Sequence, residues 1–263
     1  MYLAAEMAPA AFSTSIYRKK GVFKLPYPPD FLADIDRTLT TGRLSRYVRA
    51  TGGDLDQALL LYEKNMALSE ARFGLLHGLE VSLRNSIHYV LSRDIGQEDW
   101  YQDGLALPKA VFPVARRLSF TKPMQSMISD ARYYAGPGAA IGKVVAELTF
   151  GFWPSVVSKH FEPLWDPSLY KAFPAARVPR RVIHWRLRTI QHLRNRIAHH
   201  ESIMTSTNDV YTGFVDQQKI TLPAILQAAE WVSPPTATWL RTSTRYEQAV
   251  TLLADFARSG ITL

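Results

Sequence analysis

Three residue types that together can handle a phosphodiester stand close in one run: Arg194, Asn195 and His199, within Leu193-Arg194-Asn195-Arg196-Ile197-Ala198-His199-His200-Glu201. An imidazole, with an unperturbed pKa near 6.5, takes or gives a proton near neutrality. A guanidinium offers a rigid fork of donors that matches phosphate oxygens and favours the extra charge of a transition state. An amide beside them can orient the imidazole or the phosphate. The Arg-to-His spacing alone is a weak signal in a chain with 31 Lys and Arg and 7 His. Context strengthens it, because His192, Asn195 and His199 share a helix face. Arg194 points about 140° away from His199 on an ideal helix. For both to act on one phosphate, the helix must end or bend near Ala198, or a second copy of the chain must complete the site.

Other chemistries lack their parts. His192, His199, His200 and Glu201 sit close together, but neither His-Glu-x-x-His nor a paired carboxylate framework occurs, so no metal and no cofactor are expected. The absence of cysteine removes disulfides, thiolate catalysis and zinc-thiolate sites. No Gly-x-Ser-x-Gly elbow, phosphate-binding Gly-x-x-x-x-Gly-Lys loop or dinucleotide fingerprint is present.

The element that must carry the site is Val178 to Glu201. Ile183, Leu187, Ile190, Leu193 and Ile197 recur at spacings of three and four, an apolar helical stripe, and Pro179 is expected in its first turn. From Tyr170 to His200 there are eight Lys or Arg and no Asp or Glu, a segment suited to an anionic partner. A second helical pattern runs from Asp54, as a cap, to Ile95, and forty residues predicts a break between Lys64 and Ser69 or at Gly74/Gly78. Its second half aligns His77, Glu80, Arg84 and His88 as a polar stripe. Leu83-Arg84-Asn85-Ser86-Ile87-His88 also echoes Leu193-Arg194-Asn195-Arg196-Ile197, diverging at the histidine spacing.

At 263 residues, 47% hydrophobic and 21% charged, the chain reads as a folded globular protein, and its net charge of +8 favours a polyanion. Period-two alternation is scarce, so the fold class is all-α. The expected organisation is a mobile N-terminal segment, 1–24, followed by one helical domain, 25–263. Within that domain a short helix begins near Asp30, another spans about Arg43 to Arg49, Ser202 to Lys219 is turn-like, and C-terminal helices start from about 221. No apolar window spans a membrane, and the N terminus has the reverse of a secretory pattern, so a cytoplasmic location is expected. Gly151-Phe152-Trp153-Pro154 reads as a core plug, with base stacking as the other option.

The motif run resembles the Arg-Asn-x-x-x-His signature of HEPN-superfamily ribonucleases. The surroundings are similar more narrowly to the Abi-like (abortive infection) family: Glu80-Val81-Ser82-Leu83-Arg84-Asn85, Leu148 to Trp153, Trp231-Val232-Ser233-Pro234 and Trp239-Leu240. The resemblance implies a HEPN-like helical bundle with peripheral helices and a homodimer pairing two motifs across one cleft. It also implies metal-independent RNA cleavage in abortive-infection or toxin–antitoxin systems, with a protein or RNA antitoxin as a further partner. Arg194, Asn195 and His199 are the matching positions. Glu201 stands where a subset of the superfamily carries a regulatory tyrosine, which argues against that route.

The chemistry also follows from the residue types. RNA cleavage by its own 2′-hydroxyl needs a proton removed, charge on the phosphorus stabilised and the departing 5′-oxygen protonated, giving a 2′,3′-cyclic phosphate and a 5′-hydroxyl. The competing reading is a non-catalytic helical module that binds RNA or docks an antitoxin. In it, Arg194 caps helix carbonyls or pairs with Glu80. Glu80 and Arg84 are read as a structural pair supporting the motif helix, His200 as a helix-terminal histidine, and His77 and His88 as structural. Arg180, Arg181, Arg186, Arg188 and Arg196 form a basic surface that attracts RNA backbone without sequence preference.

Overall fold

The computed structural model describes residues 29–39, 41–203 and 222–258. The expected mobile segment 1–24 and most of the turn-like Ser202 to Lys219 stretch lie outside these residues. The described helices are α1 (Pro29–Leu39), α2 (Thr41–Ala50), α3 (Leu55–Ile95), α4 (Lys122–Ala135), α5 (Ile141–Glu147), α6 (Phe152–Val156), α7 (Glu162–Trp165), α8 (Arg180–Ala198), α9 (222–232), α10 (Pro234–Arg241) and α11 (Thr244–Arg258). Two 3-10 turns, Lys159–Phe161 and Leu169–Ala172, join them. One isolated antiparallel bridge, Ala106 to Arg117, is the only extended pairing among the described residues. The fold class is all-α, as expected.

The spine is α3, a single helix of 41 residues. Asp54 caps it by accepting from the Gln57 N–H (3.0 Å), and Gly96, at φ 79°, closes it with its N–H on the Ser92 carbonyl. The expected break is absent, for a tertiary reason. A Cβ on Gly78 would lie 2.6 Å from Leu240 Cδ2, and one on Gly74 would lie 2.9 Å from Arg245 Cγ. The two glycines therefore let α10 and α11 approach the spine, and that packing outweighs the roughly 1 kcal/mol each costs within a helix. Partners change along the spine. Tyr62 meets Tyr47 of α2 edge-on at 5.2 Å, Glu70 faces Arg245 of α11 at 3.2 Å, Ser86 donates to the Ala172 carbonyl at 2.9 Å, and Asp94 pairs with Lys171 at 2.9 Å.

The α8 stripe packs as its spacing requires, with Ile183, Leu187, Ile190, Leu193 and Ile197 all buried. Pro179 sits one position earlier than expected, as the capping residue in extended conformation (φ −60°, ψ 150°). Phe152 and Trp153 are fully buried, so the core reading holds and base stacking by either is ruled out. Phe152 joins an aromatic cluster with Trp100 and Phe120 at centroid separations of 6.2 and 6.1 Å. Among the described residues no helix is long and apolar enough to cross a membrane.

Candidate functional site

The site lies where α8 ends. The helix stops at Ala198, meeting the requirement for an end near that residue, and His199 is the capping residue (φ −91°, ψ 11°). His200 then takes the left-handed conformation at φ 54°, the sole non-glycine with positive φ among the described residues. Its N–H bonds the Ile197 carbonyl (3.0 Å) and the Glu201 N–H bonds the Arg196 carbonyl (2.8 Å). This is a Schellman closure with histidine where glycine is usual.

Three further clasps fix the outgoing chain. Arg43 of α2 donates from Nη1 to the His200 carbonyl. Arg196 donates from Nε to the Ser202 carbonyl (2.8 Å), and from Nη2 to the same oxygen. The buried Asn65 of α3 accepts from the Ile203 N–H (3.1 Å). The turn is thus held to two other helices while the His199 side chain stays exposed.

Arg194 turns the other way. Its direction falls within the arc of Ile183, Leu187, Ile190 and Ile197. There its Nε lies 3.9 Å from Glu80 Oε2 of α3, with side-chain exposures of 29% and 21%. That distance is an ion pair without a hydrogen bond, and Nε, out of contact with solvent, has no hydrogen-bond partner. Burial pushes the Glu80 carboxyl above its ordinary pKa, against the pull of Arg194, Arg84 and His77. Glu80 thus forms an interhelical ion pair with Arg194, and Arg84, one turn along α3, adds to the pull on its carboxylate. Arg84 donates from Nη1 to the Ala146 carbonyl at 3.4 Å. Asn195 is half-buried on the His199 side of the helix.

The basic surface divides. Arg180 donates to the Val157 carbonyl (2.9 Å) and faces Glu162 at 3.4 Å, so with Arg196 it serves as an internal tie. Arg181 is exposed, and Arg188 bonds the Gln191 side chain at 2.7 Å. His88 is structural: its Nδ1 accepts from the buried Trp100 Nε1–H (3.1 Å), and burial lowers its pKa despite Glu98. His77 is exposed. No group of three or more His, Asp or Glu that could hold a metal is found among the described residues.

Two hollows flank the His200–Glu201 turn. One, about 820 Å³, is an apolar groove that includes Met66, Phe73, Ile197 and Arg245. The other, about 330 Å³, is cationic and aromatic, with Arg43, Arg46, Arg196 and Tyr47. Sequence reading missed Asn65 and Arg43. Asn65 had a signal, a polar residue in register with Leu61 and Leu68 on an apolar stripe; for Arg43 no spacing marks the long-range contact.

An all-α protein with a polar motif at the exposed end of a basic helix is thus defined. The sequence model of one family, described as Abi-like protein, matches residues 17–205, and the chain belongs to that family. The matched residues run from before α1 through the motif turn. The Trp231-Val232-Ser233-Pro234 and Trp239-Leu240 landmarks, with α9 to α11, fall beyond them. Comparisons with curated proteins and with solved structures gave no match.

Proposed function

We propose that this protein is a metal-independent endoribonuclease of the HEPN type acting in abortive infection or a toxin–antitoxin pair, with its site at a cleft between two copies. The observation that carries the reading is the disposition of the motif. His199 is exposed on a turn tied to α2 and α3, while Arg194 sits on the opposite side of α8 with an unbonded Nε. In a single chain these two groups do not converge on one phosphate, so a site that uses both takes the histidine from one copy and the arginine, once its half-buried head leaves Glu80, from the other.

In that cleft one His199 takes the proton of the ribose 2′-hydroxyl, and the freed oxygen attacks the adjacent phosphorus. Arg194 meets the charge that builds on the phosphoryl oxygens, and Asn195 orients the imidazole. The same imidazole, now protonated, gives that proton to the departing 5′-oxygen. The products are a 2′,3′-cyclic phosphate and a 5′-hydroxyl.

Mixing two inactive variants tests the arrangement. Equal amounts of Arg194→Ala and His199→Ala, co-expressed so that the copies exchange, should recover about a quarter of wild-type activity, since half the dimers are mixed and each holds one intact pair. No recovery, with both variants dimeric and each inactive alone, contradicts a site shared between copies. A monomeric wild type with full activity contradicts it as well.

A further inference from the structure

The outer face of α8 carries more than the motif. Arg181, Trp185, Arg188, His192, Asn195 and His199 follow one another at steps of four, three, four, three and four, a single stripe opposite the buried one. The large apolar member is anomalous there. Trp185 is 62% exposed, in the middle of a cationic surface, on a helix whose five isoleucine and leucine stripe positions are all buried. Arg186 lies over its ring at 5.6 Å from the centroid. A guanidinium on an indole holds the ring in place and adds positive charge beside it, and most of the ring remains in solvent.

We infer that Trp185 is a stacking platform for an unpaired base, and that the stripe from Arg181 to His199 guides single-stranded RNA into the site. This rests on the ribonuclease reading and names its substrate class. From Trp185 to His199 the helix rises about 21 Å, the length of roughly six nucleotides at the phosphate spacing of one strand. Arg181, one turn before the indole, and Arg188, one turn after it and bonded to Gln191, add positive charge on either side for phosphates, and every base has a face that can stack on the ring. Charge decides against a second copy over the Trp185 half of this face; the copy that completes the site meets only its His199 end. Arg181 and Arg188 stand there, and no Asp or Glu lies between Tyr170 and His200 to pair with them, so two such halves in contact repel, whereas a polyanion is drawn to them. A duplex hides its bases from the indole, so it gains only the phosphate contacts.

The test measures binding of a fluorescent 2′-O-methyl oligouridine of eight nucleotides, which cannot be cut because the attacking oxygen is capped, and of the same strand paired with its complement. Wild type should bind the single strand more tightly than the duplex. Trp185→Ala should weaken single-strand binding roughly tenfold or more, Trp185→Phe should recover part of it, and duplex binding should hardly change. Equal binding of the single strand by wild type and Trp185→Ala overturns the inference, as does an equal loss for the duplex. Loss of dimerisation in Trp185→Ala, read by sedimentation, overturns it too, since the face would then be a contact between copies. The ribonuclease reading fails separately: a protein that binds through Trp185 but never cleaves unmodified RNA leaves the stacking platform standing. One that cleaves equally well without Trp185 does the reverse.

Discussion

The Leu-Arg-Asn-x-Ile run occurs twice, on α3 at Leu83–Ile87 and on α8 at Leu193–Ile197, and the two copies have different fates. In both, the leucine and isoleucine are buried and the arginine is half-buried beside them. The histidine makes the difference. On α3 it comes four residues after the arginine, inside a helix that continues for seven more residues to Ile95. There His88 accepts from the Trp100 indole. On α8 it comes five residues after, beyond the last helical residue, and His199 is exposed at a closed turn. One residue of spacing rotates the side chain by about 100° and separates a half-buried histidine bonded inside the fold from an exposed one at a turn.

The sharpest way to break this contrast is to remove each histidine. His199→Ala should lower RNA cleavage by about 10²- to 10⁴-fold with an unchanged unfolding midpoint. His88→Ala should do the opposite, costing about 1–3 kcal/mol of stability by leaving the Trp100 N–H buried and unpaired, with cleavage per folded molecule retained. Rate and urea unfolding measured on both variants decide it; a His88→Ala protein that is stable but inactive would merge the two copies. The arginines come next. Arg194→Ala should lose about 10²- to 10³-fold in rate, whereas Arg84→Ala should cost about 1 kcal/mol of stability through the Ala146 carbonyl and leave the rate near wild type.

Acid offers a smaller test. The folded state holds His88 with a lowered pKa, so as pH falls below 6.5 the unfolded chain takes up a proton first. Stability is full above 6.5 and declines as pH drops toward the lowered folded value, by up to about 1.4 kcal/mol per pH unit for one proton. His88→Ala should flatten this slope. The residue left behind comes from His184, which burial, then Arg188 and Arg180, also depress. Urea midpoints at pH 7.5 and 5.5 give the comparison, and identical slopes in wild type and variant would remove His88 from the core account. The smallest effect belongs to the turn: His200→Gly should add about 0.5–1 kcal/mol, because glycine carries no Cβ penalty at φ 54°.

Much of α8 was legible in the sequence because its apolar stripe has one period and one face, and the family followed from residues that keep their order along the chain. Its end was legible only as a condition, since a left-handed His200 has no marker as plain as glycine. The spine was misread at Gly74 and Gly78, because a glycine inside a helix says nothing of which neighbour needs the space; Arg245 and Leu240 lie more than 160 residues away. Charge was the least legible of all. Arg180 and Arg196 count as basic residues in the sequence, yet both are tied to carbonyls of their own chain. Arg194 could be placed on the inner side of the helix by angle alone, but its partner had to be found across α3.

The most direct measurement is incubation of the purified protein with cellular RNA in EDTA, beside His199→Ala, followed by analysis of the fragment ends. Cleavage by wild type alone, giving 2′,3′-cyclic phosphate and 5′-hydroxyl ends, is the predicted result. Cleavage that EDTA abolishes and a divalent ion restores, or that survives in His199→Ala, would contradict it.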